Sequence, residues 1–417
     1  MRELGQSKIL NVGIDVESVR KDFPILDTNI DGKPLVYLDN AGTAQKPKAV
    51  IQRETEFYTH QNANIHRGIH RLSEIASDEY ERARRRIARF FNAARAEEIV
   101  FVRGTTEGVN LVANSFGRKY IKEGDHVVVS ILEHHSNFIP WQLMAEERGA
   151  VFQVIPMDDK GVLDLEAYEA MLSERTKIVA LTHISNAIGT VNPVKEMIQL
   201  AHARGIPVLI DGAQSTPHMK VDVTDLDCDF FVFSGHKVFG PTGIGVLYGK
   251  ERWLDEMPPY QVGGGTIRTV TVEKTEFLDP PAKFEGGTPN IGGAIGLATA
   301  FDYIEELGMG RIMNYENELY CYAREKLGAL PDLVLWGDGS EIAAVLSFGI
   351  EGVHSHDIST FLDSEGVAIR AGHHCAKPLM GRLGIPGTAR ASFCFYNTKE
   401  EIDHLVDGIL KISKFFS

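Results

Sequence analysis

The sequence predicts an α/β protein: a large domain on a mostly parallel sheet, followed by a smaller α+β C-terminal domain. From residue 98 onward, short β-rich runs alternate with amphipathic helical patterns, as expected of crossover units around a sheet covered on both faces. After about residue 300 the pattern changes to longer helical stretches separated by fewer strands. A chain of 417 residues is long enough to bury a substantial core and to divide into a large and a small domain.

Residues 1–35 are assigned as an N-terminal segment packing with the small domain, 36–300 as the large domain and 301–417 as the small domain. In the large domain the strands are Glu98–Val102, His126–Ser130, Val151–Ile155, Lys177–Leu181, Pro207–Asp211 and Asp229–Phe233, each a short run rich in β-branched or aromatic residues. Helical patterns at Glu107–Phe116, Leu165–Leu172 and Val194–Ala203 fall between them. The small domain reads as helices at Phe301–Leu307 and Ile312–Leu327, a strand at Ala343–Phe348, a helix at Ile358–Glu365, the run Val367–Arg370, a strand at Ala389–Phe395 and a closing helix at Lys399–Phe415. Ligands of such sheets bind beyond the carboxyl ends of the strands, so the polar residues after each strand are the ones to weigh.

A formal charge of −14 argues against a nucleic-acid surface spread over the molecule. No run is long enough to cross a bilayer, and Met1–Glu17 lacks the basic start and apolar core of a signal peptide. The four cysteines, Cys228, Cys321, Cys375 and Cys394, have no paired spacing, which points to a reducing cytoplasm rather than a disulfide framework.

Asp211 closes one predicted strand, and Ser234-Gly-His-Lys237 follows the next. An amine and a carboxylate placed together meet the two needs of pyridoxal 5′-phosphate: a lysine to join its aldehyde as a Schiff base, and an acid to keep its pyridine nitrogen protonated. Gly104-Thr105-Thr106 opens a helix directly after a strand and presents backbone amides and two hydroxyls, the make-up of a phosphate cradle. Ser234 and His236 supply further donors; His134 stands at the same rim, where it either stacks on the pyridine ring or serves as a capping or metal-binding histidine, and Gln214 reaches the phenolic oxygen if the chain turns there.

Arg370-Ala-Gly-His-His-Cys375-Ala-Lys-Pro378 is a loop whose cationic side chains favour a thiolate, so Cys375 is the candidate nucleophile. The other three cysteines read as buried, inert thiols. Three consecutive residues, His373-His374-Cys375, cannot converge on one tetrahedral ion, so no metal site is expected. Arg390 offers a bidentate fork for a substrate carboxylate, with a structural ion pair as the equal alternative. His354 and His356 read as the N-cap region of the helix at Ile358, with contact to a sulfur acceptor as the alternative.

Tyr37-Leu-Asp-Asn-Ala41, His66-Arg-Gly-Ile-His70, Arg103–Gly108, Glu133-His-His135, Asp211-Gly-Ala-Gln214, Ser234–Lys237, Phe284–Pro289 and Arg370–Cys375 together resemble the SufS-like cysteine desulfurases and selenocysteine lyases of the class V aminotransferase fold. The resemblance runs from about residue 20 to the C-terminus and implies a fold type I pyridoxal phosphate enzyme with a seven-stranded sheet. It implies Lys237 as the Schiff-base lysine, with Asp211, Gln214, His134, Thr105, Thr106, Ser234 and His236 around the cofactor. It also implies a homodimer in which Thr288 reaches the partner's phosphate, Asn186 and Arg390 as carboxylate ligands, and Arg370 near the reactive cysteine. The implied reaction converts L-cysteine to L-alanine with a persulfide on Cys375, for iron–sulfur cluster assembly through an acceptor protein of SufE or SufU type. L-Selenocysteine is the alternative substrate, and a non-catalytic cofactor-binding partner protein is a reading of another class. Gly42 stands where the family often has alanine.

Overall fold

The computed structural model describes residues 13–339 and 341–416; the part of the N-terminal assignment that falls on residues 1–12 lies outside them. Its centre is a seven-stranded sheet of β1 (Ile99–Val102), β2 (His126–Ser130), β3 (Val151–Ile155), β4 (Thr176–Thr182), β5 (Val208–Asp211), β6 (Phe230–Ser234) and β7 (Gly245–Gly249). The spatial order is β1-β7-β6-β5-β4-β2-β3. All neighbours are parallel except β7, which runs antiparallel to both β1 and β6. The parallel majority agrees with the sequence pattern, and the count of seven with the family resemblance; Gly245–Gly249 is the strand that the pattern did not predict.

Central strands such as Phe230-Phe-Val-Phe-Ser234 are buried along their whole length because both faces are covered. Ile99, Phe101, Val179, Leu181, Ile210, Phe231 and Phe233 point into one core, under helices α1 (Arg71–Phe90), α4 (Val194–His202) and α5 (Ile291–Leu307). Their neighbours Val100, Val102, Ile178, Ala180, Leu209, Phe230 and Val232 point into the other, under α2 (Thr105–Tyr120) and α3 (His135–Arg148). This is the period-two alternation of a pleated sheet filled on both sides.

A second sheet of β8 (Leu333–Trp336), β9 (Val345–Ile350), β10 (Arg370–Gly372) and β11 (Thr388–Ser392) is antiparallel, in the order β8-β9-β11-β10. It shares a core with α6 (Met309–Gly328), α7 (Ser355–Ser364) and α8 (Lys399–Phe416). Val36–Tyr37 pairs in parallel with Val367–Ala368, so the chain just after residue 35 runs alongside this sheet. Phe23 is fully buried, and its ring meets Phe239, Tyr303, Phe395 and Tyr396 with centroids 4.7–6.4 Å apart. The N-terminal segment thereby touches elements of both sheets.

Removing that ring leaves a hole where the two sheets' surroundings meet. Phe23→Ala is expected to lower the unfolding free energy by about 3–5 kcal/mol, measured by urea denaturation with the slope unchanged.

Candidate active site

The parallel register brings the carboxyl ends of the central strands level: Thr182 of β4 pairs with Asp211 of β5, and Asp211 with Val232 of β6. Asp211 therefore ends its strand beside the short 3-10 turn Gly235–Lys237 that leaves β6. Gly104 starts α2 with φ +155°, and Gly245 of β7 packs so close that a Cβ there would lie 2.5 Å from the Gly104 Cα. Only glycine permits this approach, which brings the α2 N-terminus up to Ser234. The Thr105 N–H donates to Ser234 Oγ at 2.9 Å, the two hydroxyls lie 2.9 Å apart, and Thr106 Oγ1 meets Ser136 Oγ at 2.7 Å.

A cavity of about 180 Å³ opens at this rim. Thr105, Thr106, His134, Asn186, Asp211, Gln214, Ser234, His236 and Lys237 line one side, and Arg370, Cys375 and Arg390 the other. Every site residue named from the sequence is thus in one cavity except Thr288, which is exposed in the segment Gly286–Pro289.

Burial sets the charges here. Lys237 as a residue is half-buried, and desolvation of its amine lowers it to about 8, against the opposing pull of Asp211. Burial raises Asp211, and the Ala213 N–H, donated to its Oδ1 at 2.9 Å, opposes that shift. Desolvation, with Lys237 second, pushes His134 down to about 3, so its ring is neutral. His134 Nδ1 accepts the Ser136 N–H at 3.0 Å, which leaves the ring proton on Nε2. His236 is likewise lowered to about 4 by burial.

The cysteine loop is held by three hydrogen bonds, two to His135 and one to Asn186. The His135 N–H at the start of α3 donates to the Cys375 carbonyl at 2.7 Å, and the Lys377 N–H donates back to His135 Nε2 at 3.1 Å. Asn186 Nδ2 donates to the His374 carbonyl at 2.8 Å. His374 and Cys375 both have positive φ, +49° and +56°, a conformation that non-glycine residues adopt only when their surroundings impose it. These bonds supply that constraint and set Cys375 at the cavity wall.

Arg390 is 1% exposed; its Nη1 donates to the Asn186 carbonyl at 2.8 Å and its Nη2 to Asp39 Oδ1 at 2.9 Å. Arg370 also pairs with Asp39, through Nε at 3.1 Å and Nη2 at 3.0 Å. Asp39 belongs to the motif Tyr37–Ala41, and the sequence assigns it no role. Its signal, a lone aspartate in Leu38-Asp-Asn40, is weak because the two arginines lie more than 300 residues away. Glu133 and Ser136 were missed in the same way. Fully buried Glu133 accepts from Ser130, Asn137 and the Thr182 N–H, and desolvation raises it to about 8.

One expectation is corrected. Cys228 and Cys394 are buried, but Cys321 is exposed on α6, because the amphipathic face of that helix turns it away from Leu319 and Ala323 toward solvent. His354 is the N-cap of α7, its Nδ1 accepting the His356 N–H at 3.3 Å. Among the described residues no group of three or more His, Cys, Asp or Glu side chains has metal-site spacing, and no helix is long and apolar enough to cross a membrane.

The donor set fits pyridoxal 5′-phosphate. A buried acid stands near a buried amine, a neutral imidazole lines the same cavity, hydroxyls and amides gather at a helix start, and the buried Gln214 Oε1 lacks a partner. Fold and site together define a fold type I pyridoxal phosphate enzyme.

Comparison with known proteins narrows the class. The aminotransferase class-V model matches residues 36–405. The chain is 52% identical to a cysteine desulfurase of Synechococcus elongatus over 401 residues, spanning 96% of this chain and 64% of that protein's length. It is 52% identical to one from Pectobacterium carotovorum, spanning 96% of this chain and 98% of the relative. The apo cysteine desulfurase of Thermococcus onnurineus superposes with a TM-score of 0.91 at 42% identity, covering 95% of this chain and 98% of that one. The Escherichia coli cysteine desulfurase CsdA gives 0.89 at 36% identity, covering 96% and 99%. The chain belongs to the class-V aminotransferase family and, within it, to the cysteine desulfurases. It is an enzyme whose cofactor is pyridoxal 5′-phosphate.

The depressed Lys237 amine has a consequence for the cofactor-free protein. The unfolded chain keeps this proton up to about 10.5 and the folded one only to about 8. Between those values the unfolded state binds more protons, so this group's contribution to stability rises with pH. Urea midpoints of wild type and Lys237→Met from pH 7 to 10.5 are expected to differ most at pH 7, in favour of the variant, and to converge as pH rises.

Proposed function

We propose that the enzyme takes the sulfur of L-cysteine onto Cys375 as a persulfide, releases L-alanine, and passes the sulfur to an acceptor protein for iron–sulfur cluster assembly. The carrying observation is that Lys237, Asp211, Arg390 and Cys375 line one cavity. The bound cofactor supplies an electron sink that allows charge to develop at the substrate's α-carbon and labilises the carbon–sulfur bond.

The chain's residues do the rest. Asp211 keeps a proton on the pyridine nitrogen. Lys237, with an amine near neutrality, takes the proton from the substrate's α-carbon and returns one to the product. His134 presents a neutral ring, which adds no positive charge against the protonated pyridine. Asn186 and Arg390 orient the substrate carboxylate, and Arg390 has a buried Nε without a partner in this structure. Cys375 Sγ attacks the substrate sulfur as the carbon–sulfur bond breaks. The bonding pair stays with the carbon fragment, which picks up protons to become alanine, and the sulfur remains as Cys375–S–SH.

In this reading residues 36–300 present the cofactor's ligands and residues 301–417 present the reactive thiol, with the N-terminal segment packed against both. A homodimer is supported by exposed apolar side chains. Ile69 is 99% exposed and Val262 66%, and Tyr58 lies against Gly292, four residues beyond Thr288. The acceptor, of SufE or SufU type, approaches where His356 borders Gly372 at the start of the Cys375 loop. Selenocysteine is the second substrate to test, since selenium leaves carbon more easily.

Anaerobic single turnover of the cofactor-loaded protein with L-cysteine is expected to yield one alanine and one protein-bound sulfane sulfur per site. Cys375→Ser is expected to keep the cofactor's visible absorption and lose more than about a hundredfold of the cysteine activity, as removal of a covalent nucleophile implies; full activity in this variant contradicts the proposal. Ile69→Glu is expected to lower the sedimentation coefficient from that of a dimer toward that of a monomer.

A further inference from the structure

The antiparallel register of β10 and β11 sets Arg370 directly opposite Arg390. Like charges in that relation repel, and one of the two is buried. Asp39 is the carboxylate between them, accepting from Arg390 Nη2 at 2.9 Å and from Arg370 Nε and Nη2 at 3.0–3.1 Å.

The three members are not equally free to move. Around Asp39 the backbone is fixed: the Ser392 N–H donates to the Leu38 carbonyl at 2.7 Å, the Ala41 N–H to Ser392 Oγ at 2.9 Å, and Asn40 Nδ2 to the Ser392 carbonyl at 2.7 Å. Arg390 is enclosed and tied to the Asn186 carbonyl. The Arg370 side chain is 47% exposed, and its hydrogen bonds go to Asp39. It is the mobile partner.

Gly42 shapes the space in which they meet. A Cβ at this position would lie 2.7 Å from Arg370 Nη2 and 2.8 Å from each Asp39 carboxylate oxygen. All three are side-chain atoms, and Gly42 does not sit at positive φ, so its backbone accepts an alanine. The absent methyl is what lets Arg370 fold onto Asp39.

We propose that Asp39 is an internal carboxylate that competes with the substrate's own carboxylate for Arg370 and Arg390, and that Gly42 makes the room for this parked state. Asp39 is then a positioning residue that sets how tightly an α-amino acid carboxylate is held. This rests on the reading of Arg390 as the substrate-carboxylate ligand. Binding requires the incoming carboxylate to take guanidinium donors from Asp39, so weakening the parked pair tightens binding.

The test is binding rather than turnover. Cofactor-loaded wild type, Gly42→Ala and Asp39→Asn are titrated with L-alanine, followed by the visible absorbance of the cofactor, and separately with ethylamine, which has the amine but no carboxylate. Both variants are expected to bind L-alanine more tightly, by about threefold to tenfold, the size of a partly exposed charge-pair effect. Their ethylamine affinities are expected to match the wild type. Unchanged or weaker L-alanine binding in both folded variants overturns the proposal, as does an equal shift for both ligands. Because L-alanine carries no sulfur, these titrations stand even if the persulfide reading of Cys375 fails; L-alanine and ethylamine binding equally well in wild type would instead remove Arg390 as the carboxylate ligand.

Discussion

Arg390 is a buried guanidinium, and it ties three distant parts of the chain to one another. A charge taken so fully from water needs partners for its donors, and both terminal nitrogens of Arg390 have them. Here Asp39 meets it from the segment beside the small sheet, and the Asn186 carbonyl meets it from the loop after β4. Asn186 in turn holds the His374 carbonyl, and so the loop that carries Cys375. The thiol, the carboxylate clamp and the cofactor's sheet are therefore positioned by one connected set of polar contacts, and any account of the chemistry depends on it.

A second constraint comes from the large sheet. Its strands end level, so Asp211 and Lys237 share a desolvated rim although 26 residues separate them in sequence. Burial then sets their charges: it lowers the lysine toward neutrality and keeps His134 and His236 uncharged. A neutral imidazole in the cavity and an amine that gives up its proton easily suit a protonated pyridine and an α-proton transfer. The same low-polarity setting raises Glu133 beneath the site, where three donors hold it in place.

Much of this was legible from the sequence because the governing signals are local. The strands of the large sheet are short apolar runs, and the cavity's polar residues sit at or directly after their ends, so Asp211, Lys237, His134 and Thr105 follow from strand ends alone. Cys375 was legible from its glycine, proline and cationic neighbours. What escaped depends on long-range pairing. Asp39 gains its role only when the register of β10 and β11 opposes two arginines, and no local pattern announces that. The antiparallel β7 is not among the predicted strands, because the short run Gly-Val-Leu-Tyr-Gly gives little signal of its own. Cys321 was misread because an apolar neighbourhood in sequence does not fix which side of a helix a residue occupies.

The central claim is that sulfur is extracted at this cavity and lodges on Cys375. The most direct measurement is peptide mapping after an anaerobic single turnover with isotopically labelled L-cysteine, with thiols and persulfides trapped by alkylation. The account predicts one labelled sulfur on the peptide containing Cys375 and none on the peptide containing the exposed Cys321. Label on Cys321, or alanine formed with no sulfur retained on Cys375, would contradict it.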